Sequence, residues 1–241
     1  MSRWLFAVGV GLLCGAAHAA SIDTPALKTG DTWAYTQTIE TGTQGWVRKD
    51  EQISVERVTS DSVMIALKLS GSDQPPVEEL RGLDWSRSTD INGKQQVVSQ
   101  PMAFPLSEGK KWDMSYTQEH PDALHTSQTV HCKYVATGWE DIQVPAGKYK
   151  ALKIEGDGEW SAVLAPHAGV SAQGLAVPGG TATFTQSQRV APRTISGRFY
   201  WAYWYVPALK RYVKSVEETY STTGVRSKRI TEELTSSQIS G

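Results

Sequence analysis

The chain is poor in cysteine, in phenylalanine and in net charge. It has two cysteines, Cys14 and Cys132, and four phenylalanines in 241 residues. Cys14 sits in an N-terminal apolar run, so Cys132 would be the one thiol left after export, and one thiol makes no internal disulfide. Lys plus Arg is 24 and Asp plus Glu is 25, a formal charge of −1. That balance gives no electrostatic case for nucleic acid or for an anionic membrane surface. Apart from residues 4–17, no long apolar run exists. At about 14 residues that run is short for a spanning helix, so no transmembrane segment is expected in the exported chain. No later segment carries a 3.6-residue apolar stripe. A Gly-x-Ser-x-Gly elbow and a phosphate-cradling glycine loop are both missing, so neither a hydrolase triad nor a cofactor is indicated.

What is present begins with a leader. Arg3 gives a positive start, Trp4 to Ala17 is uncharged, and Ala17-His18-Ala19 places small residues at a cleavage site. This reads as a signal peptide over 1–19, helical in its apolar part and cut after Ala19, with export to the periplasm or beyond. Cys14 follows Leu13 rather than a small residue, which argues against lipidation.

Residues 20–241 read as one antiparallel β domain. Val63, Ile65, Leu67 and Leu69 alternate with Ser62, Met64, Ala66 and Lys68, a period of two. Trp33, Tyr35 and Ile39 share a face, as do Trp112, Met114 and Tyr116. Phe199, Trp201, Tyr203 and Tyr205 oppose Tyr200, Ala202 and Trp204, so that strand is expected at the centre of the sheet. Asn92-Gly93 and Val144-Pro145-Ala146-Gly147 read as turns. The segment 165–180, rich in Gly, Ala and Pro, reads as a long mobile loop. Two stretches recur. Gly30-Asp31-Thr32-Trp33 with Tyr35-Thr36-Gln37 is echoed by Gly109-Lys110-Lys111-Trp112 with Tyr116-Thr117-Gln118, and residues 66–71 by 151–156. Either two duplicated halves or chance likeness of amphipathic strands explains this.

Several landmarks resemble a known group. These are Pro105-Leu106 with Gly109 and Trp112, Gly138-Trp139-Glu140-Asp141 running into Val144-Pro145-Ala146-Gly147-Lys148-Tyr149, Tyr203-Trp204-Tyr205-Val206-Pro207 with Lys210-Arg211-Tyr212-Val213-Lys214, and Glu232-Glu233-Leu234. Over residues 100–235 the chain resembles the TapB-like, domain-of-unknown-function proteins exported by bacteria. The resemblance implies a single curved antiparallel sheet or an open half-barrel, like that of the periplasmic lipoprotein carriers. It implies no catalytic residues.

The chemistry in the sequence is sparse. His120, His125 and His131 lie near Cys132, but their gaps are wrong for a zinc site, and neighbours in a strand point to opposite faces. Cys132 alternates with Val130 and Tyr134 and is expected to be buried. The remaining signal is aromatic. Nine Trp and nine Tyr are many for this length. Trp33, Tyr35, Trp112, Tyr116, Trp201, Tyr203 and Tyr205 are the candidate ligand-binding residues, lining an apolar face for a hydrophobic or lipid-like ligand. The competing reading is a structural envelope protein acting through protein contacts. An enzyme is the weakest reading, because no titratable groups converge.

Overall fold

The structure is a computed structural model that describes residues 21–42, 45–165, 168–177, 180–189 and 193–240. The leader and its cleavage site lie outside these residues. In chain order the strands are β1 (Thr32–Thr41), β2 (Trp46–Val58), β3 (Ser62–Leu69), β4 (Val77–Gly82), β5 (Arg87–Ile91), β6 (Lys94–Ser99) and β7 (Lys111–Asp122). They continue with β8 (His125–Val144), β9 (Gly147–Leu164), β10 (Ala168–Val177), β11 (Gly180–Arg189), β12 (Arg193–Val206), β13 (Arg211–Tyr220) and β14 (Arg226–Gln238). No described residue is α-helical, as the missing 3.6-residue stripe led one to expect.

Ten strands form one antiparallel sheet in the order β4-β3-β2-β1-β14-β13-β12-β9-β8-β7. It is curved and not closed into a barrel. Its curl is visible where the turn between β8 and β9 reaches back over the sheet, the Ala146 amide donating to the Leu234 carbonyl at 2.9 Å. β12 lies inside the sheet between β13 and β9, which is why it needs rings on both faces. It stops where Pro207, unable to donate to a ladder, opens a 3-10 turn over Pro207–Leu209. Asn92 and Gly93 both take positive φ, the conformation that a two-residue turn between β5 and β6 demands.

The segment 165–180 is not the loop that its composition suggests. It contains β10, paired along its whole length with β11. Thr181, Thr183 and Thr185 supply a β-favouring partner strand, and backbone pairing does not need large side chains on β10. The register is the same as that of the neighbouring β9–β12 pair: Leu164 meets Arg193, and Ala168 meets Arg189.

One face of the sheet, the inner face, carries the core. Trp33, Tyr35, Ile53, Val55, Val63, Ile65, Cys132, Tyr134, Leu152, Ile154, Tyr205 and Leu234 are buried there. Trp85, Met102 and Leu106, from the connections after β4 and β6, cover it. The opposite, outer face carries polar cover. There Trp204 donates to Glu140 at 2.9 Å and lies under Lys153, so long polar chains shield the rings.

The two recurring segments also share geometry. Gly30 and Gly109 both have positive φ, and each donates its amide across to the next strand, to Val55 and Ala136 respectively. Each opens a three-strand meander, β1-β2-β3 or β7-β8-β9, and the two meanders run in the same sense along the sheet.

Candidate functional site on the inner face

Cross-strand register places the candidate aromatic residues together. Val47, Ile39, Ile230, Glu217, Trp201, Gly156, Tyr134 and Trp112 are successive partners across β2, β1, β14, β13, β12, β9, β8 and β7. Side chains directly opposite one another share a face, so these residues form one row across the inner face. Tyr35, Tyr203 and Tyr205 lie on the core side of that row, and Tyr116 lies beyond it on β7.

The rings of the row stack. Trp112 and Tyr134 are parallel within 9° at 5.3 Å, Tyr134 and Trp201 follow at 6.1 Å, and Phe199 meets Trp201 at 4.4 Å. Glycine makes this possible. A Cβ on Gly156 would sit 2.7 Å from the Tyr134 ring, and one on Gly158 would sit 2.0 Å from the Phe199 ring. The rings lie flat over β9 because those two side chains are missing.

All seven candidate residues share the inner face, but they differ in access. Trp33, Tyr35, Tyr203 and Tyr205 are buried by the chain itself. Trp33 donates its indole N–H to the Leu209 carbonyl at 2.9 Å, and Tyr35 its hydroxyl to the Tyr212 carbonyl at 2.6 Å. These four act as core here, which the alternation of the sequence could not distinguish from an open lining. Trp112, Tyr116 and Trp201 are half-buried and remain within reach of solvent. The same row ends at Val47, which is 55% exposed.

Sequence reasoning passed over the polar groups on this face. Glu217 is the one ionisable side chain of the row besides Tyr134. Burial, and then the neighbouring Glu232, push its carboxyl up to about 7, against the pull of Lys228, Arg87 and Tyr203. Among the described residues it has no ion pair. Glu232 accepts from Gln37, Tyr212 and Ser215 at 2.9, 2.8 and 3.1 Å. Beside it the buried Arg211 guanidinium lies over Trp85 at 4.3 Å and Tyr212 at 4.7 Å, with Tyr35 and Trp33 at 5.7 and 5.8 Å. Glu217 and Glu218 are adjacent carboxylates on β13. They point to opposite faces, and the signal that marks Glu217 is its pairing with Trp201 on an otherwise apolar face.

Cys132 is fully buried, and burial pushes its thiol up to about 12. The buried Tyr134 hydroxyl lies against it and has no well-aligned hydrogen-bond partner. A thiol so far above neutrality holds almost no thiolate. Ellman's reagent is therefore expected to leave native Cys132 unlabelled over minutes and to label it at once in denaturant. Fast labelling of the native protein would contradict the burial. The histidines do not converge: His125 pairs with Asp122 at 2.8 Å, and no described group of three His, Cys, Asp or Glu could hold a metal.

A concavity of about 910 Å³ lies elsewhere, and none of the seven candidate residues lines it. It sits where β12 outruns β13: β12 pairs with β9 from Arg193 but with β13 only from Arg198.

No family model matches the chain, and no curated protein matches it. Solved structures do. One is a protein from Bacteroides fragilis provisionally described as exported, with a YmcC-like fold: 12% identity over 91% of this chain and 100% of that one, TM-score 0.44. A second, provisionally described as a lipoprotein, is from Parabacteroides distasonis: 12% identity, the same coverages, TM-score 0.46. A third is the hypothetical lipoprotein YmcC of Escherichia coli: 8% identity over 85% of this chain and 84% of that one, TM-score 0.32. The TapB-like resemblance thus has no family match behind it.

Proposed function

We propose that this protein is an exported binding module, cut after Ala19, that holds a hydrophobic or lipid-like ligand against the half-open part of its inner face. The observation that supports this is the cross-strand row. From Val47 through Ile39, Ile230 and Trp201 to Trp112 it is apolar, and its single carboxyl is held near neutrality. An extended acyl chain laid along this row meets rings and branched aliphatics on successive strands. Trp112, Tyr116 and Trp201 make the contact. Trp33, Tyr35, Tyr203 and Tyr205 form the floor that holds those rings in place.

The test is titration with a fluorescent fatty-acid analogue, read by quenching of tryptophan emission. Saturable binding with a Kd of about 1 µM is expected. Trp112→Ala and Trp201→Ala are expected to weaken it about tenfold or more, since burying a large ring contributes on the order of 2 kcal/mol. Trp46→Ala should leave it unchanged. Trp46 is 67% exposed and pairs with Glu40, out of register with the row. No binding at about 10 µM, or equal effects of all three substitutions, would sink the proposal.

One observation favours the protein-contact reading instead. β4 is an edge strand, and it exposes Val77 and Leu80. The unpaired backbone of an edge strand can accept an added strand from a partner, with Val77 and Leu80 as apolar contacts. Cross-linking that captures an envelope protein through β4, with no lipid bound, would support that reading.

A further inference from the structure

We infer that the ligand of the inner-face row is an anionic amphiphile, its oxyanion head group held between Arg87 and Lys228 at the mouth of the row and its chain laid over Trp201 and Trp112. The inference rests on the binding-module reading above and names the class of ligand for that site. Strand register places the lysine. Lys228 on β14 is the partner of Thr219 on β13, next to the pair Ile230 and Glu217 that belongs to the row. Residues two apart on a strand share a face, so Lys228 faces the inner side, diagonal to Glu217.

The connections place the arginine. Trp85 is anchored above the start of β13: its indole N–H donates to the Lys210 carbonyl at 2.9 Å, and the Arg211 guanidinium lies over its ring at 4.3 Å. On the opposite side, the Trp112 indole N–H on β7 donates to the Gln100 carbonyl at 3.0 Å. Arg87 follows Trp85 by two residues and is the partner of Ser99, the residue before Gln100. It is therefore hung between β13 and β7, over the open part of the row. Burial raises both the Glu217 carboxyl and the Tyr116 hydroxyl, and Arg87 pulls both back, so its charge reaches both walls.

The balance of charge decides the head group. Arg87 and Lys228 are exposed, and neither has an ion pair among the described residues. The other ionisable groups that act on Glu217 are Glu232 on β14, Tyr203 on β12 and Tyr134 on β8. Glu232 is already engaged by Arg211, Gln37, Tyr212 and Ser215. Glu217, held near neutrality by burial, supplies at most one negative charge against the two cations. An oxyanion gains from both cations, whereas an ammonium head would meet two like charges. The rings beside them favour an alkyl chain and offer nothing to the rest of a hydrophilic polyanion. A carboxylate and a phosphate share this head-group chemistry.

The test is isothermal titration calorimetry of the exported chain with decanoate, decyl phosphate, decanol and decyltrimethylammonium, each below its micelle concentration, and with inorganic phosphate. Decanoate, decyl phosphate or both are expected to bind about tenfold or more tighter than decanol, and the tighter of the two identifies the head group. In the double variant Arg87→Gln, Lys228→Gln that ratio should fall to about one, with the melting curve in place because both side chains are exposed. The charge-keeping variant Arg87→Lys, Lys228→Arg should retain the preference. Decanol binding as tightly as both anions overturns the inference and leaves the binding-module reading standing. An unchanged ratio in the Gln variant, or tighter binding of decyltrimethylammonium, has the same consequence. Inorganic phosphate binding as tightly as decyl phosphate overturns the amphiphile and leaves a site for a free anion. Failure of every alkyl compound to bind removes the binding-module reading as well.

Discussion

Arg211→Ala is expected to lower the free energy of unfolding by about 3–4 kcal/mol, among the largest effects of any single truncation in this chain. The guanidinium sits among four aromatic rings, with Trp85 and Tyr212 in closest contact. It also donates to the Tyr212 hydroxyl at 3.2 Å, which in turn donates to Glu232 at 2.8 Å. Truncation removes the cation, opens a cavity under two tryptophans, and leaves Glu232 without the charge that balances it. Arg211→Met separates these terms, because it refills the space without the charge and is expected to recover about half of the loss. Urea denaturation of the three proteins measures the difference. A loss under about 1 kcal/mol in Arg211→Ala would show that the cage contributes nothing net.

Glu217→Gln is expected to act in the opposite direction, with an effect that grows as pH rises from 4.5 to about 7 and is complete above it. Burial raises the folded carboxyl from 4.5 to about 7, so between those values the folded state keeps a proton that the unfolded chain has released. Stability therefore falls as pH rises through this window. Above it, the charged carboxylate costs the native state about 2 kcal/mol after allowance for partial solvent access. Removing the charge should raise unfolding free energy by that amount at about pH 8 and change it little at about pH 4. Equal stabilisation at both values, or none at either, would refute the assignment. For the proposed ligand the sign is useful. Near neutral pH Glu217 is close to half protonated, so the row can be almost fully apolar when it is occupied.

The strands were legible in the sequence because period-two alternation reports which residues share a face. It placed β1, β3, β7 and β12 and put all seven candidate aromatics on one side of the sheet. Alternation does not report what lies above that side. Trp33 and Trp112 each follow a glycine by three residues and precede a Tyr-Thr-Gln, yet Trp33 is sealed by Leu209 and Trp85 while Trp112 stays half-open. The covering residues come from connections far away in the chain, which no local pattern encodes. The 165–180 segment was misread for a related reason. Composition registers Gly, Ala and Pro as turn residues, whereas pairing depends on the partner strand, here rich in Thr. Glu217 was hidden because its character comes from Trp201, Ile230 and Glu232, none of them adjacent in sequence.

The pairing of β1 with β14 bears on the order of assembly. Thr32 meets Gln238 and Tyr35 meets Leu234, so the first strand waits for the last. Asp31 tightens the same junction, accepting from the amide of Ser240 at 2.7 Å and from the Lys210 ammonium at 2.9 Å. β14 must be synthesised before the inner face has its full set of walls. Pairings so distant in sequence form slowly, because loop closure has to precede any gain from contact. This delay leaves the inner face without one of its walls until β14 has paired with β1.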